Sequence, residues 1–248
     1  MKVLHPFACL GAHAIGMDYV GGFEHVAFWE SVEHRRRELR ARFAGVPVYG
    51  DVTAKAYPPF IEADVIFGGP PCQETSVAAA IHGKRSGASL WFWMLRIGLA
   101  ARCKWFVVEQ PTGNEAWEAE VTGDLSRHGF HSARVEFEAR DVGAPYERRR
   151  VFILACTSLP RLEIAWRTVP QAIERVARAA DARGSWDPDK LAALPVDARS
   201  AGEFKSARSG WRVEEIEALG DSNPPEMAEV IARAIRSAND FQKAGSND

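Results

Sequence analysis

The chain contains 248 residues, 46% hydrophobic and 26% charged, enough apolar material for a sizeable core and too much for intrinsic disorder. No stretch approaches the roughly 18 uncharged apolar residues of a transmembrane helix, and the first six residues lack a signal peptide's charged and apolar regions, so the sequence predicts a cytoplasmic protein. The net charge of −2 carries no overall basic signature of nucleic-acid binding. Residues 161–212, however, hold ten basic and seven acidic side chains, which suits one face to a polyanion.

Short β-rich segments alternate with helical patterns over the first 157 residues. Strands are predicted at residues 2–9, 25–29, 46–49, 64–67, 105–109, 133–138 and 150–156. Helices are predicted at residues 32–43, 90–101 and 115–128. Alternation of this kind indicates an α/β fold, with a mostly parallel sheet and helices on both of its faces.

The pattern changes beyond residue 157. One helix is predicted over residues 170–182, and Pro224 and Pro225 open a last helix over residues 226–237, since proline is tolerated in a first helical turn. The expected organisation is a main domain of residues 1–156 to which residues 220–237 return, a small irregular appendage of residues 157–219, and a flexible tail of residues 238–248.

Ligands of open α/β sheets bind at the carboxyl ends of the strands. The first predicted strand ends in Phe-Ala-Cys-Leu-Gly, residues 7–11, a small-residue turn that lets the backbone approach a ligand, or an ordinary tight turn. Glu30, about 20 residues later, suits a ribose diol; otherwise it is a helix N-terminal carboxylate. Asp51, after the third strand, is placed to accept a hydrogen bond from an adenine amino group.

The strongest local signal is Gly-Gly-Pro-Pro-Cys-Gln, residues 68–73, after an apolar strand. Two prolines stiffen the chain immediately before Cys72, a presentation that a nucleophile needs and a buried structural cysteine does not. The alternative is an unrelated α/β protein in which Cys72 belongs to the core. The four cysteines and seven histidines show no spacing typical of metal ligands.

Charged groups follow at two further strand ends. Glu109 precedes Gln110 and Pro111 and is a candidate acid facing the same pocket as Cys72, or a helix cap. Residues 148–150 are three arginines. Strand alternation puts Arg148 and Arg150 on one face and Arg149 on the other, and the alternative is a solvated edge. Residues 74–89 are predicted to form a mobile lid.

Four segments, in order, resemble the DNA (cytosine-5) methyltransferase family. They are Pro-Pro-Cys-Gln at 70–73, Val-Glu-Gln-Pro at 108–111, Gly-Ala-Pro-Tyr-Glu-Arg-Arg-Arg at 143–150, and Gly-Asp-Ser-Asn-Pro-Pro at 220–225. The resemblance covers residues 3–157 and 219–236. It implies a Rossmann-like sheet of the class I S-adenosylmethionine-dependent methyltransferases, with residues 157–219 as a small target-recognition region.

The resemblance implies a role for each site residue. Cys72 attacks cytosine C6, Glu109 binds N3 and the amino group, and Arg150 holds O2 with support from Arg148, so that C5 takes the methyl group of S-adenosylmethionine. The residues that would bind this cofactor are Phe7, Ala8, Leu10, Gly11, Glu30, Asp51, Pro70, Leu90 and Ser222.

The implied partner is double-stranded DNA with its target base flipped out, bound by a monomer without metal or membrane. The residues expected to contact DNA are Gln73, Ser76, His82, Lys84, Arg85, Lys205, Arg208, Trp211 and Arg212. Because residues 157–219 offer little scaffold for base contacts, a short or degenerate target site is expected.

Several positions depart from the family pattern. The family usually has glycines at Cys9 and Ala12, an aromatic residue at Thr75, Asn-Val at Gln110 and Pro111, and glutamine at Tyr146; these changes bear on rate and geometry. Two other functions stay open: an RNA cytosine-5 methyltransferase, whose Cys-Phe-Thr element is not found here, and a catalytically silent regulator, which would be expected to lose Cys72 or Glu109.

Overall fold

The structure, a computed structural model, describes residues 1–54, 61–71, 90–185 and 223–245. The strands are β1 (Lys2–Pro6), β2 (Glu24–Trp29), β3 (Val48–Tyr49), β4 (Val65–Gly68), β5 (Trp105–Pro111), β6 (His131–Glu138) and β7 (Arg149–Cys156). The helices are α1 (Ala12–Val20), α2 (Glu33–Arg42), α3 (Trp91–Ala100), α4 (Glu115–Arg127), α5 (Leu159–Ala182) and α6 (Pro225–Gly245), with a 3₁₀ turn at Ala139–Val142.

The described strands form one sheet in the order β3-β2-β1-β4-β5-β7-β6. The pairs from β3 to β5 are parallel, whereas β7 runs antiparallel to both β5 and β6. The predicted α/β sheet is therefore confirmed. The carboxyl ends of β1, β2, β4 and β5 meet at one edge, where the candidate site residues of these strands lie.

Strand alternation divides the core between the two faces of the sheet. Val65 and Phe67 of β4 face the layer of α1, α5 and α6, whereas Ile66 packs with α3 and α4. In β5, Trp105 and Val107 belong to the first layer and Phe106 and Val108 to the second. Burial on both faces explains why these strands read as continuous apolar runs.

Helix α1 was not predicted from the sequence. It is short, its buried residues include Ala12, Ala14, Gly16 and Met17, and it packs closely against α6. A Cβ atom on Gly16 would lie 2.2 Å from the carbonyl oxygen of Pro225. The glycine that weakens the helical pattern is therefore required for the close approach of the two helices.

Helix α5 begins eleven residues before the predicted start at residue 170. Leu162, Ala165 and Val169 extend its buried stripe upstream of Pro170, and the packing of this stripe against α6 outweighs the helix-breaking tendency of proline. Residues 159–182 of the expected recognition region thus pack on the sheet layer. Helix α6 continues to Gly245 with Ala238 fully buried, eight residues past the predicted end at residue 237 and into the range predicted as a flexible tail.

Candidate active site

The chain turns sharply after Pro6, and the turn is built from left-handed residues. Phe7, Cys9 and Gly11 have φ angles of 57°, 48° and 82°. Such dihedrals cannot continue a strand, so β1 ends before the predicted residue 9. Only glycine fits at position 11, because a Cβ atom there would lie 2.6 Å from the ring of Phe43. The backbone of residues 7–11 therefore lines the sheet edge.

Glu30 follows β2, beside this turn, and is 6% exposed. Its Oε2 accepts a hydrogen bond from the Cys9 N–H at 2.9 Å, and its Oε1 accepts one from the Val32 N–H at 2.9 Å. An ionised carboxylate has about four acceptor positions. Glu30 thus fixes the turn and retains acceptor capacity for a ligand.

Asp51 lies just after β3, and Leu90 lies at the start of α3. Asp51 follows β3, is exposed, and accepts a hydrogen bond from the Thr53 N–H at 2.7 Å. Leu90 is the N-cap residue of α3 and is half-buried. Because β3 neighbours β2, Asp51 stands beyond Glu30 along the sheet edge.

Glu109 of β5 and Arg150 of β7 form an ion pair on the α1 face of the sheet. Arg150 Nε lies 2.8 Å from Glu109 Oε1, and the side chains are 15% and 12% exposed. The N–H is not aligned for a hydrogen bond, so the contact is electrostatic. Arg150 also donates from Nη1 to the Arg149 carbonyl at 2.8 Å. The predicted pair thus sits together in a largely water-excluded place.

The end of β4 passes very close to Glu109. A Cβ atom on Gly68 would lie 2.5 Å from the Pro6 carbonyl oxygen, and one on Gly69 would lie 2.5 Å from Glu109 Oε2. Pro70 is buried. The two glycines therefore let the chain run between β1 and Glu109 toward Cys72, which itself lies outside the described residues.

Arg148 and Arg149 have separate partners. Arg148 donates from Nε to Asn223 Oδ1 at 2.7 Å, just before helix α6, whereas Arg149 pairs with Glu138 and Glu136 of β6. Asn223 is buried and was missed by the sequence analysis, which chose the neighbouring Ser222. The available signal was the position of Asn223 inside the Gly-Asp-Ser-Asn-Pro-Pro element.

His13, in the first turn of α1, was also missed. Its ring stacks on Phe67 with centroids 4.2 Å apart and an interplanar angle of 12°. Burial lowers the pKa of His13, against an opposing effect of the Glu109 carboxylate. A buried imidazole thus lies on Phe67, close enough to the Glu109 carboxylate for the two to interact electrostatically.

The remaining predicted site residues lie outside the described part of the chain. They are Cys72, Gln73, Ser76, His82, Lys84, Arg85, Lys205, Arg208, Trp211, Arg212 and Ser222. Their predicted roles stay predictions. Within the described ranges, no helix is long and apolar enough to cross a membrane, and no group of three or more His, Cys, Asp or Glu side chains is arranged to hold a metal ion.

Comparison with known proteins identifies relatives. A family model described as C-5 cytosine-specific DNA methylase matches residues 1–180. Type II methyltransferase M.AquIA of Picosynechococcus is 30% identical over 182 residues, covering 62% of this chain and 71% of its own. M1.ScrFI of Lactococcus lactis is 26% identical, covering 62% and 41%. The chain spans about half the length of M1.ScrFI and of M.NlaX from Neisseria lactamica.

Solved structures share the fold at low sequence identity. Entamoeba histolytica methyltransferase EhMeth superposes with a TM-score of 0.62 at 10% identity, over 97% of this chain and 98% of its own. A Spodoptera frugiperda DNMT2 mutant gives 0.53 at 18% identity, over 64% and 50%. These likenesses agree with the observed sheet and support a Rossmann-like methyltransferase fold.

Proposed function

Because the chain belongs to the C-5 cytosine-specific DNA methylase family, we propose that it transfers a methyl group from S-adenosylmethionine to C5 of cytosine in DNA. The observation that carries this proposal is the Glu109–Arg150 ion pair, with 2.8 Å between Arg150 Nε and Glu109 Oε1. The pair stands beside Gly69, three residues before Cys72. An acid, a cation and the approach to a nucleophile thus converge on one sheet edge.

The edge of β1, β2 and β3 fits S-adenosylmethionine, which supplies an electrophilic methyl group when bound. The first-turn N–H groups of α1 receive no side-chain cap within the described residues, which suits them to a carboxylate. Glu30 would accept from ribose hydroxyls and Asp51 from the adenine amino group. Further contacts are proposed for Phe7, Ala8, Leu10, Gly11, Pro70, Leu90 and Ser222.

The chemistry assigned to this site begins with cytosine C5, which is a poor nucleophile. The Cys72 thiolate forms a bond to C6, and the π electrons of the C5=C6 bond become available at C5. Glu109 donates a proton to N3 and accepts a hydrogen bond from the exocyclic amino group, which stabilises the charge that develops there. Arg150 holds O2, and Arg148, fixed by Asn223, supports the same pocket.

C5 then takes up the methyl group, whose bond to the sulfonium sulfur breaks with its electron pair left on sulfur. The N3 proton returns to Glu109, the C5 proton leaves to a base, the C–H electrons restore the C5=C6 bond, and the Cys72 thiolate departs from C6. A base stacked in a duplex is beyond the reach of these residues, so the target cytosine must be flipped out. We propose that Gln73, Ser76, His82, Lys84 and Arg85 contact the DNA around it.

Recognition of the target is assigned to the part of residues 157–219 beyond α5. Its Lys205, Arg208, Trp211 and Arg212 combine charge with an aromatic side chain and suit phosphate contacts, which position a protein without specifying sequence. We therefore propose a short or degenerate target site. We also propose that the protein acts as a monomer. Bisulfite sequencing of DNA methylated in vitro should find many sites sharing a few base pairs; a strict site of five or more would contradict this.

DNA is favoured over RNA by the family described as a DNA methylase and by the type II methyltransferase relatives, and the Cys-Phe-Thr element of the RNA-directed relative is not found. The test is to incubate the protein and methyl-labelled cofactor with duplex DNA or structured RNA, then identify the labelled nucleoside. We expect 5-methylcytosine in DNA. Label in RNA alone, or in neither, would overturn the proposal.

A further inference from the structure

Gln110 makes a buried contact that the proposed chemistry does not use. It follows Glu109 in β5 and is 6% exposed. Its side-chain Nε2 donates a hydrogen bond to the backbone carbonyl of Pro70, two residues before Cys72. The bond joins positions forty residues apart in the chain, at the carboxyl ends of two neighbouring strands.

The regular ladder cannot make this connection. Backbone pairing between β4 and β5 ends at Gly68 and Val108, and the backbone of Gln110 is paired on its other side with Val151 of β7. Beyond Gly68 the segment leading to Cys72 therefore has no strand partner in β5. The hydrogen bond from the Gln110 side chain to the Pro70 carbonyl connects the two strands beyond their last backbone pair.

Successive β5 residues hold this segment from opposite faces of the sheet. Glu109 lies on the α1 face against Gly69, where a Cβ atom would be 2.5 Å from Glu109 Oε2. Gln110 shares the face of Val108, toward α3 and α4, and binds the next residue, Pro70. The hydrogen bond thus ties Pro70 to the residue next to Glu109, and Gly69 leaves no room for a side chain between the two strands.

We propose that Gln110 is a positioning residue that sets the placement of Cys72 relative to Glu109 through the Pro70 carbonyl; this rests on the proposed function. Pro70 and Pro71 each fix their own φ angle, so the sequence leaves few free backbone torsions between the Pro70 carbonyl and Cys72. Attack on C6 and hydrogen bonding to N3 must occur on the same base at the same time. The spacing of the two groups therefore governs the rate more than the binding of either ligand.

The test is Gln110→Met, which keeps the length of the side chain and removes the donor. The probe is duplex DNA containing 5-fluorocytosine, which traps the covalent adduct because the fluorine cannot leave as a proton does. With cofactor and DNA saturating, we expect adduct formation to slow by about 10²-fold, the effect of a misplacement near 1 Å. The DNA and cofactor dissociation constants should stay within threefold of the wild-type values.

Alkylation of Cys72 by iodoacetamide separates positioning from local unfolding. A small reagent needs no defined alignment, so its rate should be unchanged in Gln110→Met, whereas a loosened fold would expose and accelerate the thiol. Thr122→Val, which removes a side-chain bond to the Glu118 carbonyl on α4, is the matched control and should leave both rates unchanged. Gln110→Leu, which also lacks the donor, serves if Gln110→Met does not fold and should also slow the adduct.

The same measurements distinguish failure of the proposed function from failure of the inference about Gln110. Wild-type protein that forms no adduct contradicts the proposed function itself. Wild-type protein that forms the adduct, while Gln110→Met forms it equally fast, contradicts only the role of Gln110. Faster alkylation together with a slower adduct would assign Gln110 a purely structural role.

Discussion

The two halves of the sheet edge hold their functional groups by different means. Around β1 and β2 the surface proposed to face the cofactor is backbone. It is a turn of left-handed residues, held by the Glu30 carboxylate, which accepts hydrogen bonds from Cys9 and Val32. Around β4, β5 and β7 it is side chains that contact one another, as Arg150 does with Glu109 and Arg148 with Asn223.

This difference predicts how each half responds to mutation. A backbone surface depends on the shape of the turn and tolerates changes of the side chains that point away from the ligand. A side-chain constellation fails when any member is replaced, since its partner is then left buried and unpaired. Substitutions in the half with β5 should therefore affect turnover, and substitutions in the half with β1 should affect cofactor affinity or very little.

The largest effect is expected from Glu109→Gln. The amide keeps the shape of the side chain but cannot give a proton to N3, so the single-turnover methyl-transfer rate should fall about 10²–10⁴-fold. Cofactor affinity should be unchanged. Glu118→Gln, a buried carboxylate paired with Arg134 away from the edge, is the control. A near-normal rate for Glu109→Gln would make Glu109 structural.

Glu30→Ala should weaken cofactor binding at the half of the sheet edge formed by β1 and β2. It removes hydrogen bonds to two backbone N–H groups and the proposed ribose contact, and a bond to a charged group contributes about 1.5–3 kcal/mol. We expect cofactor affinity, measured by calorimetry, to weaken about 10–100-fold. The exposed Glu33, paired with Arg36 and Arg40 on α2, provides the control Glu33→Ala; equal affinities in the two variants would count against the assigned role of Glu30.

A smaller effect is expected on the pH dependence of stability, and it comes from two histidines that precede or pair beside the turn of residues 7–11. His5 Nε2 and His25 Nδ1 are 2.9 Å apart, and His25 Nε2 lies 3.0 Å from Asp18 Oδ1. Burial, followed by the charges of His25 and His13, lowers the pKa of His5. The folded protein keeps His5 neutral, whereas the unfolded chain binds a proton near pH 6.5, so stability is lost as the pH falls below that value.

Urea unfolding from pH 8 to pH 5 measures this loss in the free energy of unfolding. One such histidine can contribute at most about 1.4 kcal/mol per pH unit. His5→Gln should flatten the dependence below pH 6.5. His128→Gln, at an exposed position of the α4 C-cap, should leave it as in the wild type. Identical profiles for all three proteins would contradict the role of His5.

The smallest effect is expected from Cys9→Gly. The left-handed φ of 48° costs a cysteine about 1 kcal/mol, and glycine relieves this while gaining a similar freedom in the unfolded chain. Unfolding free energy should change by less than ~1 kcal/mol, and cofactor affinity should be retained. Cys9→Val should destabilise, because a β-branched residue resists this backbone; a tolerated valine would contradict the described turn.

The sheet could be predicted from the sequence because its buried strands are long apolar runs with clear breaks, such as β4 before Gly68. Helix α1 could not, since its buried residues are mostly alanine and glycine and depend on contact with α6. The start of α5 was hidden by Pro170, whose effect on a helix is local, whereas the packing that outweighs it is tertiary.

The site shows the same division. Glu109 and Arg150 were predictable as strand-end charges in a family pattern, and the structure brings them together. Asn223 and Gln110 were not predictable as partners, because each contacts a residue about 40 or more positions away in the chain. Such contacts depend on which strands become neighbours, and local periodicity carries no information about that.

We propose above that Cys72 attacks a cytosine that Glu109 and Arg150 hold. This proposal is tested most directly by mixing the protein with cofactor and 5-fluorocytosine duplex DNA, digesting the product, and locating the modified peptide by mass spectrometry. We expect one adduct, on Cys72, and no adduct in Cys72→Ala, although that variant should still fold and bind cofactor. An adduct on another residue, or methyl transfer by Cys72→Ala, would contradict it.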